Sequence, residues 1–67
     1  MKEDKRKVLK EMIKLKTLAT LAQIQQSYLS DIINNNKQPS RRLADNLAFH
    51  ANTLVGSEFF SSDDFLN

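Results

Sequence analysis

The chain has 67 residues, which is enough for one small domain, and it contains no cysteine, so disulfides and thiolate metal sites are excluded. Its 40% hydrophobic and 27% charged residues are typical of a folded domain. The net charge of +2 is unevenly distributed: residues 1–42 have ten basic and four acidic residues (+6), and residues 43–67 have four acidic and no basic ones (−4). A polyanion would be attracted to the first part, although two solvated faces of uneven charge explain the same numbers.

Helices joined by short turns are predicted, because the chain has only one glycine and one proline. Apolar residues recur at helical spacing in four segments, which are 3–15, 17–23, 26–34 and 41–51. Thr17 and Ser40 are the predicted N-caps of the second and fourth helices. The side chains expected to face the core are Val8, Leu9, Met12, Ile13, Leu18, Ala19, Ala22, Leu29, Ile32, Ile33, Leu43, Ala44, Leu47, Ala48 and Ala51.

Beyond Asn52 the pattern weakens, and we divide the chain into a helical domain over residues 1–56 and a C-terminal tail over residues 57–67. Residues 53–55 are compatible with an extended segment, and Ser57 with the cap of a short helix at 58–60. The aromatic residues of the tail either cover the small core or form a dimer contact, and the dimer contact is favoured. The residues assigned to that interface are Leu54, Val55, Phe59, Phe60 and Phe65.

The third predicted helix has an unusual outer surface. Its outward positions are Gln25, Gln26, Ser27, Ser30, Asp31 and Asn34, which are all polar and, except for the aspartate, uncharged. A solvated helix without a recognition task usually carries Lys and Glu, which are good helix formers. Gln and Asn amides instead offer a donor and an acceptor together, and can bind adenine bidentately in the major groove. The N-terminus of the same helix would direct backbone N–H groups towards phosphates.

Residues 13–51 resemble the phage repressor and Cro type of helix-turn-helix, the lambda-repressor-like family. The matching stretch, residues 18–40, reads LATLAQIQQSYLSDIINNNKQPS. It is similar to the family pattern of Leu-Ala, three residues, Gly-Val-Ser-Gln-Ser, an aromatic residue, Leu-Ser, Ile, Asn-Gly-Lys, two residues and Ser. Gln23 and Asn35 stand where the family has glycine, and both positions are expected to need left-handed backbone. Leu15 and Lys16 lie near where many members have a phosphate-clamping Gln.

The resemblance implies an all-α bundle of four to five helices and a role for each matched position. Gln26 and Ser27 would be the main base readers, with Gln25, Ser30 and Asp31 beside them. Asp31 would either accept a hydrogen bond from a cytosine amine or point aside and order a neighbouring side chain. The residues expected to contact the DNA backbone are Lys14, Lys16, Tyr28, Asn34, Asn36, Lys37, Arg41 and Arg42. For Tyr28, packing on the protein surface is an equal alternative.

These features favour a cytoplasmic transcriptional regulator that binds operator DNA as a homodimer. A phage Cro-like or repressor-like protein, a mobile-element regulator and the antitoxin of a toxin–antitoxin pair all fit. The alternative is a protein-interaction module that docks on a toxin or a polymerase through the same fold. We expect no enzymatic activity, because no nucleophile–base pair, paired-carboxylate cleft or phosphate-binding glycine loop is present. We also expect no cofactor, no metal at His50 and no membrane segment.

Overall fold

Five α-helices make up the computed structural model, which describes residues 1–66 and has no β-strand in that range. They are α1 (Glu3–Val8), continued by a π-helical turn (Leu9–Ile13), α2 (Leu15–Ala22), α3 (Gln26–Ile33), α4 (Arg41–Val55) and α5 (Ser62–Phe65). The predicted all-α bundle is confirmed, at the upper end of four to five helices. Asn67, the last residue of the predicted tail, lies outside the described residues.

The first predicted helix ends two residues early, in a π-helical turn. The Lys14 N–H donates to the Leu9 carbonyl at 3.0 Å, a five-residue step, and Lys14 has a φ of 70° that ends the helix. The wider turn keeps Leu9 and Ile13 buried but turns Met12 outwards, where it is 70% exposed. The expectation that Met12 belongs to the core is therefore wrong. Thr17 is not an N-cap either, because α2 already begins at Leu15.

One core joins the π-helical turn with α2, α3, α4 and α5, and Val8 of α1 packs against it. It consists of Leu9, Ile13, Leu18, Ala19, Leu29, Ile32, Ile33, Ala44, Leu47, Ala48, Ala51, Phe60 and Phe65. Burial of this apolar surface is the main stabilising contribution, since no disulfide is present among these residues. Within residues 1–66, no helix has the length and apolar composition needed to cross a membrane.

Left-handed residues end α2 and α3 at the two predicted positions. Gln23 has a φ of 60° and Asn35 a φ of 63°. After α2, the Ile24 N–H donates to the Ala19 carbonyl at 3.0 Å, which closes a Schellman motif. After α3, the Asn36 N–H donates to the Asp31 carbonyl and the Asn35 N–H to the Ile32 carbonyl in the same way, so the turns after α2 and α3 are both fixed by backbone hydrogen bonds.

The fourth helix is longer than predicted. Ser40 caps its start, as expected, by accepting a hydrogen bond from the Leu43 N–H at 3.1 Å. Residues 53–55 continue the helix, so the extended segment considered there is wrong, and Gly56 ends α4 with a φ of 83°. No helix begins at Ser57. The short helix is α5, and Ser61 starts it by donating its backbone N–H to the Asp64 carboxylate at 2.8 Å.

The described part of the predicted tail packs against the rest of the chain. Phe60 is 4% exposed and Phe65 is 1% exposed, and both belong to the single core. These two residues, which were assigned to a dimer interface, therefore offer almost no surface to a second copy, because their side chains already fill the protein's own interior. Of the two alternatives for the aromatic residues, the cover over the small core describes Phe60 and Phe65.

Candidate nucleic-acid interface

Residues 15–33 form two eight-residue helices separated by a three-residue turn. α2 packs directly against α3, and Ala19 and Leu18 of α2 are buried in the core that Leu29 and Ile32 of α3 share. The small Ala19 side chain allows a close approach of the two helices. These are the dimensions of a helix-turn-helix motif, in which a short turn holds the second helix at a fixed angle to the first.

The beginning of α3 exposes an uncharged polar surface. Gln25 is the N-cap position but makes no capping hydrogen bond with its side chain, and Gln26 and Ser27 follow in the first turn. All three side chains are exposed, and none has a hydrogen-bonding partner among residues 1–66. Their donors and acceptors are therefore available to a ligand. The inner face of the same helix is anchored by Leu29 and Ile33, which are fully buried.

The second half of α3 is partly occupied by contacts within the protein. The Asn34 side-chain amide donates to the Ser30 hydroxyl at 3.4 Å. The Asp31 carboxylate lies 3.9 Å from the Lys37 ammonium, which in turn sits 5.7 Å from the centre of the Tyr28 ring. Of the two alternatives for Asp31, this geometry corresponds to the ordering of a neighbouring side chain. The contact also keeps Lys37 beside α3.

The loop after α3 exposes further polar groups. Asn36 and Lys37 are exposed, and their backbone N–H groups both donate to the Asp31 carbonyl, at 2.8 and 3.2 Å. The Asn35 side chain accepts a hydrogen bond from the Met1 ammonium group at 3.0 Å. These bonds fix the path of the loop, so the side chains that it carries have a defined position relative to α3.

Besides Lys37, four basic candidates lie outside α3, and they differ in their surroundings. Lys14 and Lys16 are exposed at the start of α2, and neither forms an ion pair within residues 1–66. Arg41 contacts two carboxylates, Asp45 at 3.5 Å and Asp63 at 4.0 Å. Phosphate would have to compete with these carboxylates for Arg41.

Arg42 differs from its neighbour, because it is exposed and has no ion pair in the described part of the chain. The two arginines at the start of α4 are therefore not equivalent. A guanidinium group without a carboxylate partner is the one available to an external ligand.

Three of the five residues assigned to a dimer interface reach the surface. Leu54 and Phe59 are partly exposed, and Val55 is half-buried against the core. Phe59 packs on Phe60, with ring centres 5.0 Å apart, and the Lys5 ammonium lies 5.1 Å from its ring centre. The aromatic side chains near the C-terminal end therefore make most of their contacts within the chain itself.

Sequence reasoning missed the most exposed aromatic side chain. Phe49 lies in the middle of α4 and is 68% exposed, with its ring against His50 at a centroid distance of 5.4 Å. A helical projection of α4 predicts that Phe49 points outwards, because position 49 lies opposite the apolar stripe of Ala44, Leu47 and Ala51. Within residues 1–66, no group of three or more His, Asp or Glu side chains could hold a metal ion.

No protein-family model matches this chain. Comparison with curated proteins finds no significant match. Comparison with solved structures also finds none.

Proposed function

We propose that this chain is a sequence-specific DNA-binding transcriptional regulator of the Cro or repressor kind, with α3 in the major groove of operator DNA. One observation carries the proposal most directly. The first turn of α3 exposes Gln25, Gln26 and Ser27 without partners, on a helix held by a packed core and by backbone-bonded turns at both ends. A rigid helix with free amide groups at its N-terminus suits the reading of base edges.

The charge distribution around α3 supports the same proposal. Lys14 and Lys16 precede it at the start of α2, and Lys37 follows it in the loop. Together with Asn34 and Asn36, these residues supply cations and amide donors for phosphates on either side of the reading helix. Phosphate contacts give affinity and register, whereas base contacts give specificity. The acidic Asp63 of α5 lies 4.0 Å from Arg41, so it opposes phosphate binding at that arginine.

Selection of bound sequences from random duplex DNA, followed by affinity measurements at two salt concentrations, tests the proposal. We expect an enriched motif with two related half-sites about 34 Å apart, as for a dimeric helix-turn-helix protein. Affinity for that motif should fall steeply with salt, by about 0.9 in the logarithmic slope for each phosphate contacted. Weak binding that is equal for all sequences would overturn the proposal.

The alternative function is a protein-interaction module, such as an antitoxin or a polymerase-docking domain. The exposure of Phe49 favours it, because a single large aromatic side chain on a polar surface is typical of a protein–protein hot spot. Phe60 and Phe65 do not contribute to such an interface, since both are buried. An apolar interface would show little dependence on salt, so the affinity measurements above separate the two functions.

A further inference from the structure

Phe49 lies at the centre of a stripe on the outer face of α4. At helical spacing, the residues that share this face are Arg42, Asn46, Phe49, Thr53 and Gly56. All of them are exposed, and none belongs to the core. A phenylalanine buries about 150–250 Å² when it is covered, so its exposure here leaves a large apolar area in water.

The stripe is arranged symmetrically about Phe49. Arg42 lies seven residues before it and Gly56 seven residues after it, so each is about 10 Å away along the helix. Glu58 follows Gly56 and borders the same shallow groove as Phe49 and Thr53. The stripe therefore has a cation at one end, a carboxylate at the other and a neutral middle.

We infer that this face binds a second copy of the chain, with the two α4 helices antiparallel and crossing at Phe49. A twofold axis at Phe49 places Arg42 of each copy beside Gly56 and Glu58 of the other. Opposite charges then meet at both ends, and the stripe residues between them, Asn46, Phe49 and Thr53, are uncharged. A parallel arrangement would instead put like charges together.

The C-terminal end of α4 is suited to receive an arginine. No heavy atom lies within 4 Å of the position that a Cβ atom would take on Gly56, so the surface there is open. The last carbonyl groups of a helix carry partial negative charge, which attracts a guanidinium group in addition to the Glu58 carboxylate. Arg42 has no ion pair of its own within residues 1–66, and this contact would supply one. Arg42 is thereby assigned to the partner copy rather than to phosphate.

The size of the face sets the expected strength of association. A stable specific interface buries about 800 Å² on each partner. One side of a 15-residue helix centred on a single ring provides less, so we expect a dissociation constant in the micromolar range. This inference rests on the homodimer of the proposed function, and it assigns the α4 surface as the place where the two copies meet.

Sedimentation equilibrium of the whole chain without DNA, over concentrations from about 1 µM to about 1 mM, tests the interface. We expect Phe49→Ser to weaken association about thirtyfold or more, as loss of a central hot spot does. Met12→Ser is the matched control, because Met12 is equally exposed but lies outside this face. Circular dichroism checks that both variants keep their helices.

Charge reversal tests whether the partner bound to this face is a second copy of the chain. Arg42→Glu and Glu58→Arg should each weaken association, and the double variant should restore it, because opposite charges face each other again only if the partner is a second copy. A monomeric wild-type chain at every concentration overturns the interface, as does equal weakening by Phe49→Ser and Met12→Ser. Both outcomes leave DNA binding by α3 untouched, because α4 association is measured without DNA.

Discussion

The side-chain amide of Asn52 pairs with the backbone of Phe60 through two hydrogen bonds. The Asn52 Nδ2 donates to the Phe60 carbonyl at 2.8 Å, and the Phe60 N–H donates to the Asn52 Oδ1 at 2.7 Å. Because Asn52 lies on α4, this pair attaches the segment after Gly56 to the helix that it has just left. It thereby places the Phe60 ring in the core, and it gives the Phe60 N–H and carbonyl groups the hydrogen-bond partners that they would otherwise lack.

Asn52→Asp should destabilise the fold by about 1–3 kcal/mol, because the carboxylate cannot donate to the Phe60 carbonyl and leaves it unsatisfied in a partly buried position. Urea unfolding measures the loss in the free energy of unfolding. Asn46→Asp is the control, because it makes the same chemical change at an exposed position of the same helix, where the side chain has no buried partner. An equal loss in both variants would show that the pairing with Phe60 is not the cause.

Stability should depend on pH through Asp64. Burial raises the pKa of Asp64, but the hydrogen bonds from Lys5, at 2.7 Å, and from the Ser61 N–H outweigh it, so the pKa lies below its ordinary value of 3.8. A carboxyl whose pKa is lower in the folded state contributes stability above its unfolded pKa, and loses it as pH falls through the folded pKa. We therefore expect the free energy of unfolding to decline below about pH 4, and Asp64→Asn to flatten that decline. An unchanged acid limb in Asp64→Asn would contradict this role.

Replacement of Lys5 should raise the pKa of Asp64. In Lys5→Met the ammonium hydrogen bond and its attraction are lost, while the burial that disfavours the charged carboxylate remains. NMR titration of the Asp64 carboxyl carbon measures the change. Lys7→Met, an exposed position on the same helix, removes the same charge at a distance and should leave the Asp64 titration almost unchanged.

Gln23→Gly should stabilise the protein by about 1 kcal/mol, because Gln23 occupies left-handed backbone that costs a residue with a Cβ about that much. Gly56→Ala is the reverse experiment and should destabilise by a similar amount. A Cβ at Gly56 meets no atom within 4 Å, so its cost is purely that of the backbone angle. Thermal unfolding compares the two variants. Destabilisation by Gln23→Gly would mean that the glutamine side chain contributes more than its backbone strain costs.

The sequence predicts best what depends on local periodicity and turn chemistry. The apolar faces of α2, α3 and α4 follow from helical spacing. The left-handed turns at Gln23 and Asn35 follow from the glycine positions of the helix-turn-helix pattern that this stretch resembles. Met12 could not be placed, because a π-helical turn changes the angle between successive side chains and no residue pattern announces it. For Met12, helical spacing alone therefore predicted the buried face of the helix, whereas its side chain is exposed.

Contacts between distant segments explain the remaining differences. Phe60 and Phe65 are buried because hydrogen bonds from Asn52 and Lys5 attach the chain beyond Gly56 to α4 and α1. The two bonds join Asn52 to Phe60 and Lys5 to Asp64, which are 8 and 59 residues apart in sequence. For the candidate site, the exposed polar start of α3 was predictable from composition. The occupation of Arg41 by Asp63 was not, since it depends on where α5 folds back.

Gln26→Ala and Ser27→Ala should each abolish or alter sequence preference while leaving the fold intact, because both side chains are exposed and have no partner within residues 1–66. Each lost base contact should reduce discrimination by about 1–3 kcal/mol. Lys16→Gln is the contrasting variant: it should weaken binding to all sequences alike and reduce the salt slope by about 0.9. Competition between selected and scrambled duplexes at two salt concentrations measures both effects. Preference that survives in both α3 variants would mean that α3 does not read the bases, whatever the affinity for DNA.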